Sequence, residues 1–281
     1  MPSKLAEKCT PIIYLAPMAG ITDFPYRKLV SSLGVGNVVS EMVASQSIMS
    51  DLVASSKKLK SINNFEKSVV QIVGSSPYFM TEAARYVESI GCNILDINMG
   101  CPAKKVNRTY AGAALMKDLD LAKQIIEAVV QAVNIPVTLK MRLGWNQSNR
   151  NALSLSRIAE DLGIKMVAIH ARTRCQFFKN KADWSKIAEI TKKIQIPVLV
   201  NGDIICSKSA RSALWESNAD GLMIGRGARG KPWLLKEVYH ALLGNESDFR
   251  LSTIEKIQLV LEHYESILSF YGKELGIRLA K

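Results

Sequence analysis

"ILDINMGCPAKKVNR" (residues 94–108) begins as a buried strand and ends as something else. Ile94, Leu95 and Ile97 suit a strand interior, but from Asn98 the run breaks into Met99-Gly100-Cys101-Pro102 and then Lys104, Lys105 and Arg108. A strand that finishes in an amide, a lone thiol and a cationic cluster has two readings. One is a tight turn with a solvated basic face. The other is the mouth of a site where a cysteine meets an anionic partner.

The same design recurs along the chain. Short apolar runs at 12–15, 38–40, 69–73, 94–97, 137–140, 166–169, 198–200 and 221–224 alternate with stretches of helical spacing, such as Ala122, Ile125, Ile126, Val129. Pro136 and Pro197 precede strands, where a missing N–H costs little. Near-continuous apolar strands alternating with helices imply a parallel sheet covered by helices. Eight such units match a (β/α)8 TIM barrel, with a doubly wound sheet as the alternative. Chemistry-bearing residues decide for the barrel: Gln71, Asn98, Lys140, His170, Asn201 and Gly225-Arg226 all sit at or just past a strand's C-terminal end. In a barrel those ends converge on one face.

The 281 residues carry 37 Lys and Arg against 25 Asp and Glu, a net +12. Residues 101–200 alone hold 17 basic and 7 acidic residues, so most of the excess lies mid-chain, as expected of a polyanion-binding surface. Five scattered cysteines without a C-x-x-C pair fit neither a disulfide framework nor a zinc site. Three histidines and no cluster at ligand spacing leave no candidate metal site. No apolar run approaches the roughly 20 residues of a bilayer span, and residues 1–10 hold no signal-like core, so the expectation is a cytoplasmic monomer.

Asn201-Gly202-Asp203 and Gly225-Arg226-Gly227 follow the seventh and eighth strands, where barrels of this kind hold phosphate. Glycine lets backbone N–H groups approach an anion, and Arg226 adds a bidentate donor. Lys140 ends a buried strand, which is costly unless an electron-rich partner sits beside it; a reduced flavin is such a partner, and a snorkelling surface lysine is the plain alternative. Gln71 offers an amide suited to a flavin's imide edge, or is a core amide satisfied by its surroundings. Arg142 and His170 end the fifth and sixth strands, and His170 suits a phosphate or carbonyl oxygen. No G-x-G-x-x-G follows the early strands, which argues against a Rossmann-bound dinucleotide.

These segments closely resemble those of the bacterial tRNA-dihydrouridine synthases, the B-type branch most of all. The resemblance runs through "APMAGITDFPYR" (16–27), "SEM" (40–42), "VQIVGS" (70–75), "DINMGCPAKKVNR" (96–108), "VTLKMRLGW" (137–145), "IHARTR" (169–174), "NGDI" (201–204) and "ADGLMIGRGARGKPW" (219–233). It implies an FMN-dependent enzyme that reduces uridine in tRNA to 5,6-dihydrouridine with NADPH as reductant. It implies flavin contacts at Pro17, Met18, Ala19, Gln71 and Lys140, and phosphate contacts around Asn201, Gly202, Asp203, Gly225 and Arg226. His170 joins this cofactor set. Cys101 matches the family's proton donor to uracil C5, and an ordinary thiol is mostly protonated at neutral pH. Asn98 would orient the base. Lys104, Lys105, Arg108, Arg142, Arg172 and Arg174, with Lys179 and Lys181, would meet substrate or RNA phosphates.

Two other functions fit parts of the pattern. An FMN barrel acting on a free pyrimidine, like the dihydroorotate-type dehydrogenases, has no use for the basic loops. An RNA-binding protein without turnover would lack a flavin band. The family follows its barrel with a helical bundle. Here residues 1–243 are read as the barrel and 244–281 as the start of that bundle, with Ile254 to Lys281 as one long helix.

Overall fold

The computed structural model describes residues 11–50, 68–245 and 249–280, so Cys9 and part of the expected 245–248 linker lie outside the described residues. Nine parallel strands appear there: β1 (Ile12–Leu15), β2 (Asn37–Val39), β3 (Val43–Ala44), β4 (Ser68–Val73), β5 (Ile94–Met99), β6 (Val137–Arg142), β7 (Val167–His170), β8 (Val198–Asn201) and β9 (Gly221–Ile224). β1 pairs with β9 as well as with β2, and β2 pairs with β4. Eight strands thereby close a TIM barrel. β3, too short to leave a periodic signal in the sequence, continues the β2 edge along the end of β4.

Alternation along each strand separates two cores. Leu95, Ile97, Leu139, Met141, Ile169 and Val200 face outward and pack under the helices. Tyr14, Ala16, Val69, Ala168, Leu199 and Met223 fill the barrel interior. Among the covering helices are α1 (Phe24–Ser32), α2 (Ser45–Ser50), α3 (Pro77–Ser89), α4 (Lys104–Asn107) and α5 (Leu119–Ala132). The α5 sequence explains its helix: Asp118 accepts from the Leu121 N–H at the N-cap, and Ala122, Ile125, Ile126 and Val129 form one buried stripe.

The C-terminal segment differs from expectation. Instead of one helix from Ile254, α10 as counted here (Thr253–Tyr271) ends at Gly272, and α11 (Lys273–Leu279) follows. Gly272 has φ +81°, a left-handed conformation that breaks a helix and that glycine adopts without strain. Gly276 then packs on Leu268, where an added Cβ would come within 2.9 Å of the leucine side chain. α10 is anchored on α1: Phe24 and Phe270 rings lie 5.2 Å apart, and the Tyr271 hydroxyl donates to Asp23 Oδ2 at 2.9 Å. Between α5 and α10, counted in chain order, lie α6 (Ala152–Asp161), α7 (Ser185–Thr191), α8 (Ser207–Ser217) and α9 (Leu234–Leu242). No described helix is long and apolar enough to cross a membrane.

Candidate active site

A cavity of about 560 Å³ opens at the C-terminal ends of the strands. Its walls bring together residues from distant parts of the sequence: Pro17, Met18 and Ala19 after β1, Asn98 and Cys101 from β5, Lys140 and Arg142 from β6, His170 from β7, Asn201 to Asp203 from β8, and Gly225 and Arg226 from β9. Strand periodicity explains the convergence. Asp96 and Asn98, like Thr138, Lys140 and Arg142, occupy alternate positions that point into the barrel, while Ile97 and Leu139 point away.

The Cys101 loop is held at both ends. Asn98 Oδ1 accepts from the Gly100 N–H at 3.1 Å and the Cys101 N–H at 2.9 Å. Asn107 Nδ2 donates to the Cys101 carbonyl at 2.9 Å, and so does the Ala113 N–H at 3.1 Å. Gly100 lies so near β6 that a Cβ there would come within 3.3 Å of the Met141 backbone. Cys101 itself remains half-buried on the cavity wall.

Across the cavity the charges are positive and mostly buried. Lys140 Nζ donates to Asn201 Oδ1 at 3.3 Å, and Asn201 Nδ2 donates to the Met223 carbonyl at 2.7 Å. Burial, reinforced by the Arg142 charge, pulls the Lys140 pKa down to about 8, against the opposing pull of Asp96. Burial followed by Arg172 lowers Arg142 to about 10. His170 is driven well below its ordinary value by burial and then by Arg142 and Lys140, so its ring is neutral at pH 7. The Arg172 guanidinium, which only donates, lies 3.2 Å from His170 Nε2, making that nitrogen the acceptor. Asp203 is the carboxylate of this group, in the left-handed region at φ +55°. Burial raises its pKa, but hydrogen bonds from Arg172 Nη2 at 2.6 Å and the Ala182 N–H at 2.8 Å bring it below the usual value.

Three residues expected to contact ligands have partners within the protein. Gln71 has no exposed surface and is not on the cavity wall; its Nε2 donates to Asp96 at 2.6 Å and its Oε1 accepts from Asn98 at 2.7 Å. Arg172, read as a phosphate contact, is 2% exposed and tied to Asp203 and to the Lys179 and Asn180 carbonyls. Arg174 stacks between Trp145 and Phe177, 4.6 Å from each ring, and donates to Asn107 Oδ1 at 2.8 Å. Arg142 reaches the cavity but is also a staple, donating to the Gly100, Thr173 and Phe177 carbonyls. Lys104, Lys105 and Arg108, by contrast, are exposed on and beside α4, and Lys179 and Lys181 are exposed after β7.

Sequence reading missed Phe178, half-exposed at the mouth with Arg226 4.6 Å from its ring, and the buried Asp96–Thr138 pair. An aromatic pair inside a basic loop and an aspartate inside an apolar strand were the available signals. No described group of three His, Cys, Asp or Glu residues is arranged to hold a metal ion.

Comparison with known proteins agrees with this geometry. Residues 14–281 match the family model described as Dihydrouridine synthase. A probable tRNA-dihydrouridine synthase of Rickettsia conorii is 47% identical over 270 residues, covering 96% of this chain and 82% of the relative. A Rhodobacter capsulatus relative of the same description is 48% identical over 272 residues, covering 96% and 84%. A tRNA-dihydrouridine synthase B of Pseudomonas syringae is 44% identical over 269 residues, covering 96% and 80%. Among solved structures, the 6-hydroxypseudooxynicotine amine oxidase of Pseudomonas geniculata aligns with a TM-score of 0.62 at 14% identity, over 86% of this chain and 49% of that one; the likeness is one of fold alone. On its sequence and its barrel, this chain belongs to the dihydrouridine synthase family of oxidoreductases.

Proposed function

We propose that the chain reduces the C5–C6 double bond of uridine in tRNA to 5,6-dihydrouridine, with FMN as resident cofactor and NADPH as reductant. One observation carries the reading: one cavity is lined by Cys101 together with the buried Arg142, the half-buried Lys140 and Arg226, in a chain whose relatives are named tRNA-dihydrouridine synthases.

The cation wall fits a flavin mononucleotide. Lys140 is half-buried and Arg142 buried, with amide and carbonyl partners, so with Arg172 and Arg226 the local positive charge exceeds what Asp96 and Asp203 balance and favours an anionic ligand. Gly225 leaves room beside Ala16 and Met18, where an added Cβ would find no atom nearer than 3.6 Å. Pro17, Met18 and Ala19 would hold the ring, Lys140 its electron-rich edge, and Asn201 to Asp203, His170, Gly225 and Arg226 the phosphate end. When bound and reduced, FMN supplies hydride to an electron-poor carbon.

Uracil C6 is such a carbon because it is conjugated with the C4 carbonyl. Asn98 would position the base and Cys101 would donate the proton that C5 requires. The uridine must leave its RNA stack to reach the cavity, at a cost of a few kcal/mol. Lys104, Lys105 and Arg108 stand where phosphates would offset part of that cost. A free pyrimidine would give these exposed cations no role. In this reading residues 1–243 form the catalytic barrel, 244–281 belong to a helical RNA-contacting part, and the enzyme works in the cytoplasm as a monomer.

The test is incubation of FMN-loaded protein with NADPH and an unmodified tRNA transcript, followed by nucleoside mass analysis. A gain of two hydrogens at one uridine is expected. A colourless protein that cannot be loaded with FMN, or a transcript of unchanged mass, would remove the proposal.

A further inference from the structure

Asp96 sits inside the barrel, 2% exposed, and the chemistry proposed above does not use it. It faces Gln71 on β4 and Thr138 on β6 in register. Its Oδ1 accepts from the Thr138 hydroxyl and its Oδ2 from Gln71 Nε2, both at 2.6 Å. Gln71 Oε1 then accepts from Asn98 Nδ2 at 2.7 Å, and Asn98 Oδ1 accepts from the N–H groups of Gly100 and Cys101. These bonds form one directed chain from a buried carboxyl to the Cys101 backbone.

The direction is forced from both ends. Backbone N–H groups only donate, so Asn98 must turn its oxygen toward them and its nitrogen toward Gln71. A carboxylate only accepts, so Gln71 must turn its nitrogen toward Asp96 and its oxygen toward Asn98. Burial pushes the Asp96 pKa up, against the hydrogen bonds from Thr138 and Gln71. Protonation would not reverse the chain: a protonated Oδ1 can donate its hydrogen bond to the Thr138 hydroxyl oxygen, leaving Oδ2 to accept from Gln71. Were Gln71 free to flip, its nitrogen would oppose that of Asn98. Asn98 would then lose either that partner or the two N–H groups that seat Cys101.

We propose that Asp96 is a positioning residue: it fixes the amide orientation of Gln71, through Gln71 that of Asn98, and so holds Cys101 in place. The inference rests on the role given to Cys101 above, and it explains why a carboxylate is kept within an apolar strand.

Two substitutions separate orientation from mere packing. Asp96→Asn can still turn an oxygen to Gln71 and its nitrogen to the Thr138 hydroxyl, preserving the chain's direction. Asp96→Leu keeps the volume and removes the acceptor. The first readout is alkylation of Cys101 by iodoacetamide in FMN-free protein, resolved by peptide mass, with the exposed Cys175 and Cys206 as internal references. Asp96→Leu should raise the Cys101 rate about tenfold, the factor matching one ordinary lost hydrogen bond, and Asp96→Asn should restore most of the wild-type rate. The second readout is turnover by the FMN-loaded enzyme. Asp96→Leu should cost about tenfold in the wild-type background but less than about twofold beside Asn98→Ala, where the chain is already cut. An unchanged Cys101 rate in Asp96→Leu, or an equal loss of turnover in both backgrounds, overturns the proposal. If Asp96→Leu does not fold, Gln71→Met cuts the same chain one link along and is read by the same outcomes. A wild-type protein without turnover would sink the proposed function, while the alkylation series would still report on the positioning chain.

Discussion

The two walls of the cavity are built on opposite principles. On the β5 side, Cys101 is half-buried, its loop is seated by neutral amides, and the adjoining cations on α4 are exposed. On the β6 to β9 side, Arg142 and Arg172 are buried and Lys140 is half-buried, held by carbonyls, by an amide and by Asp203, while Arg226 stays exposed at the mouth beside Asp203. Lysines and arginines supply the charge at both places, but their surroundings differ. Buried and fully bonded, a cation fixes loops and shapes a permanent site for an anion. Exposed and loosely held, it can follow the backbone of a large, mobile partner. The difference suggests that one wall keeps the cofactor while the other meets the substrate.

Removing the acid should break that division most visibly. Cys101→Ala should retain bound flavin and its reduction by NADPH but lose about 10²- to 10⁴-fold in dihydrouridine formation, the usual worth of a placed general acid. Full retained turnover, measured by nucleoside mass, would take the acid role from Cys101.

Arg172 tests the claim that the opposite wall is structural. Arg172→Met leaves Asp203 without its main partner; because Asp203 is about one-third exposed, the loss should be discounted to roughly 1–3 kcal/mol in chemical denaturation. A variant as stable as wild type would return Arg172 to the phosphate-contact role read from the sequence.

Lys140 gives the comparison a pH signature. Its pKa near 8 means the charged form prevails below that pH and is lost above it. An electron-rich ligand prefers the charged form, so FMN affinity should fall as pH rises through about 8. Titrations of Lys140→Met should show weaker binding and no such limb; an identical limb in the variant would place the titration elsewhere.

The smallest effect belongs to α4. Replacing Lys104, Lys105 and Arg108 together by alanine should change stability by less than about 0.5 kcal/mol. It should lower the salt dependence of tRNA binding by roughly two to three charges. Unchanged salt dependence would move the RNA path away from α4.

Much of this was legible in the sequence because strand periodicity and barrel closure are local and repetitive. Residues 98, 140, 170 and 201 lie in the C-terminal halves of apolar strands, and a barrel brings such ends together whatever lies between them. The strand ending raised Cys101 as a site residue, but its role as proton donor and the flavin contacts of Pro17–Ala19 rest on family resemblance. What stayed hidden was pairing. Arg172 and Lys104 look alike in sequence, and only the approach of Asp203 from another loop makes the first a buried tie. The bonds of Gln71 to Asp96 and Asn98 could not be read without the β4–β5 register that sets Asp96 beside it. The helix break at Gly272 was visible as a glycine, but its conformation depends on how α11 packs back on Leu268.

The division between the walls is tested most directly by splitting the reaction in time. FMN-loaded protein is reduced anaerobically with NADPH, then mixed with unmodified tRNA while the flavin absorbance is followed. Wild-type protein should be reduced by NADPH and reoxidised by tRNA, whereas Cys101→Ala should be reduced at the same rate and reoxidised at least about 100-fold more slowly. Reduction lost together with reoxidation in Cys101→Ala, or reoxidation at the wild-type rate, would contradict the division.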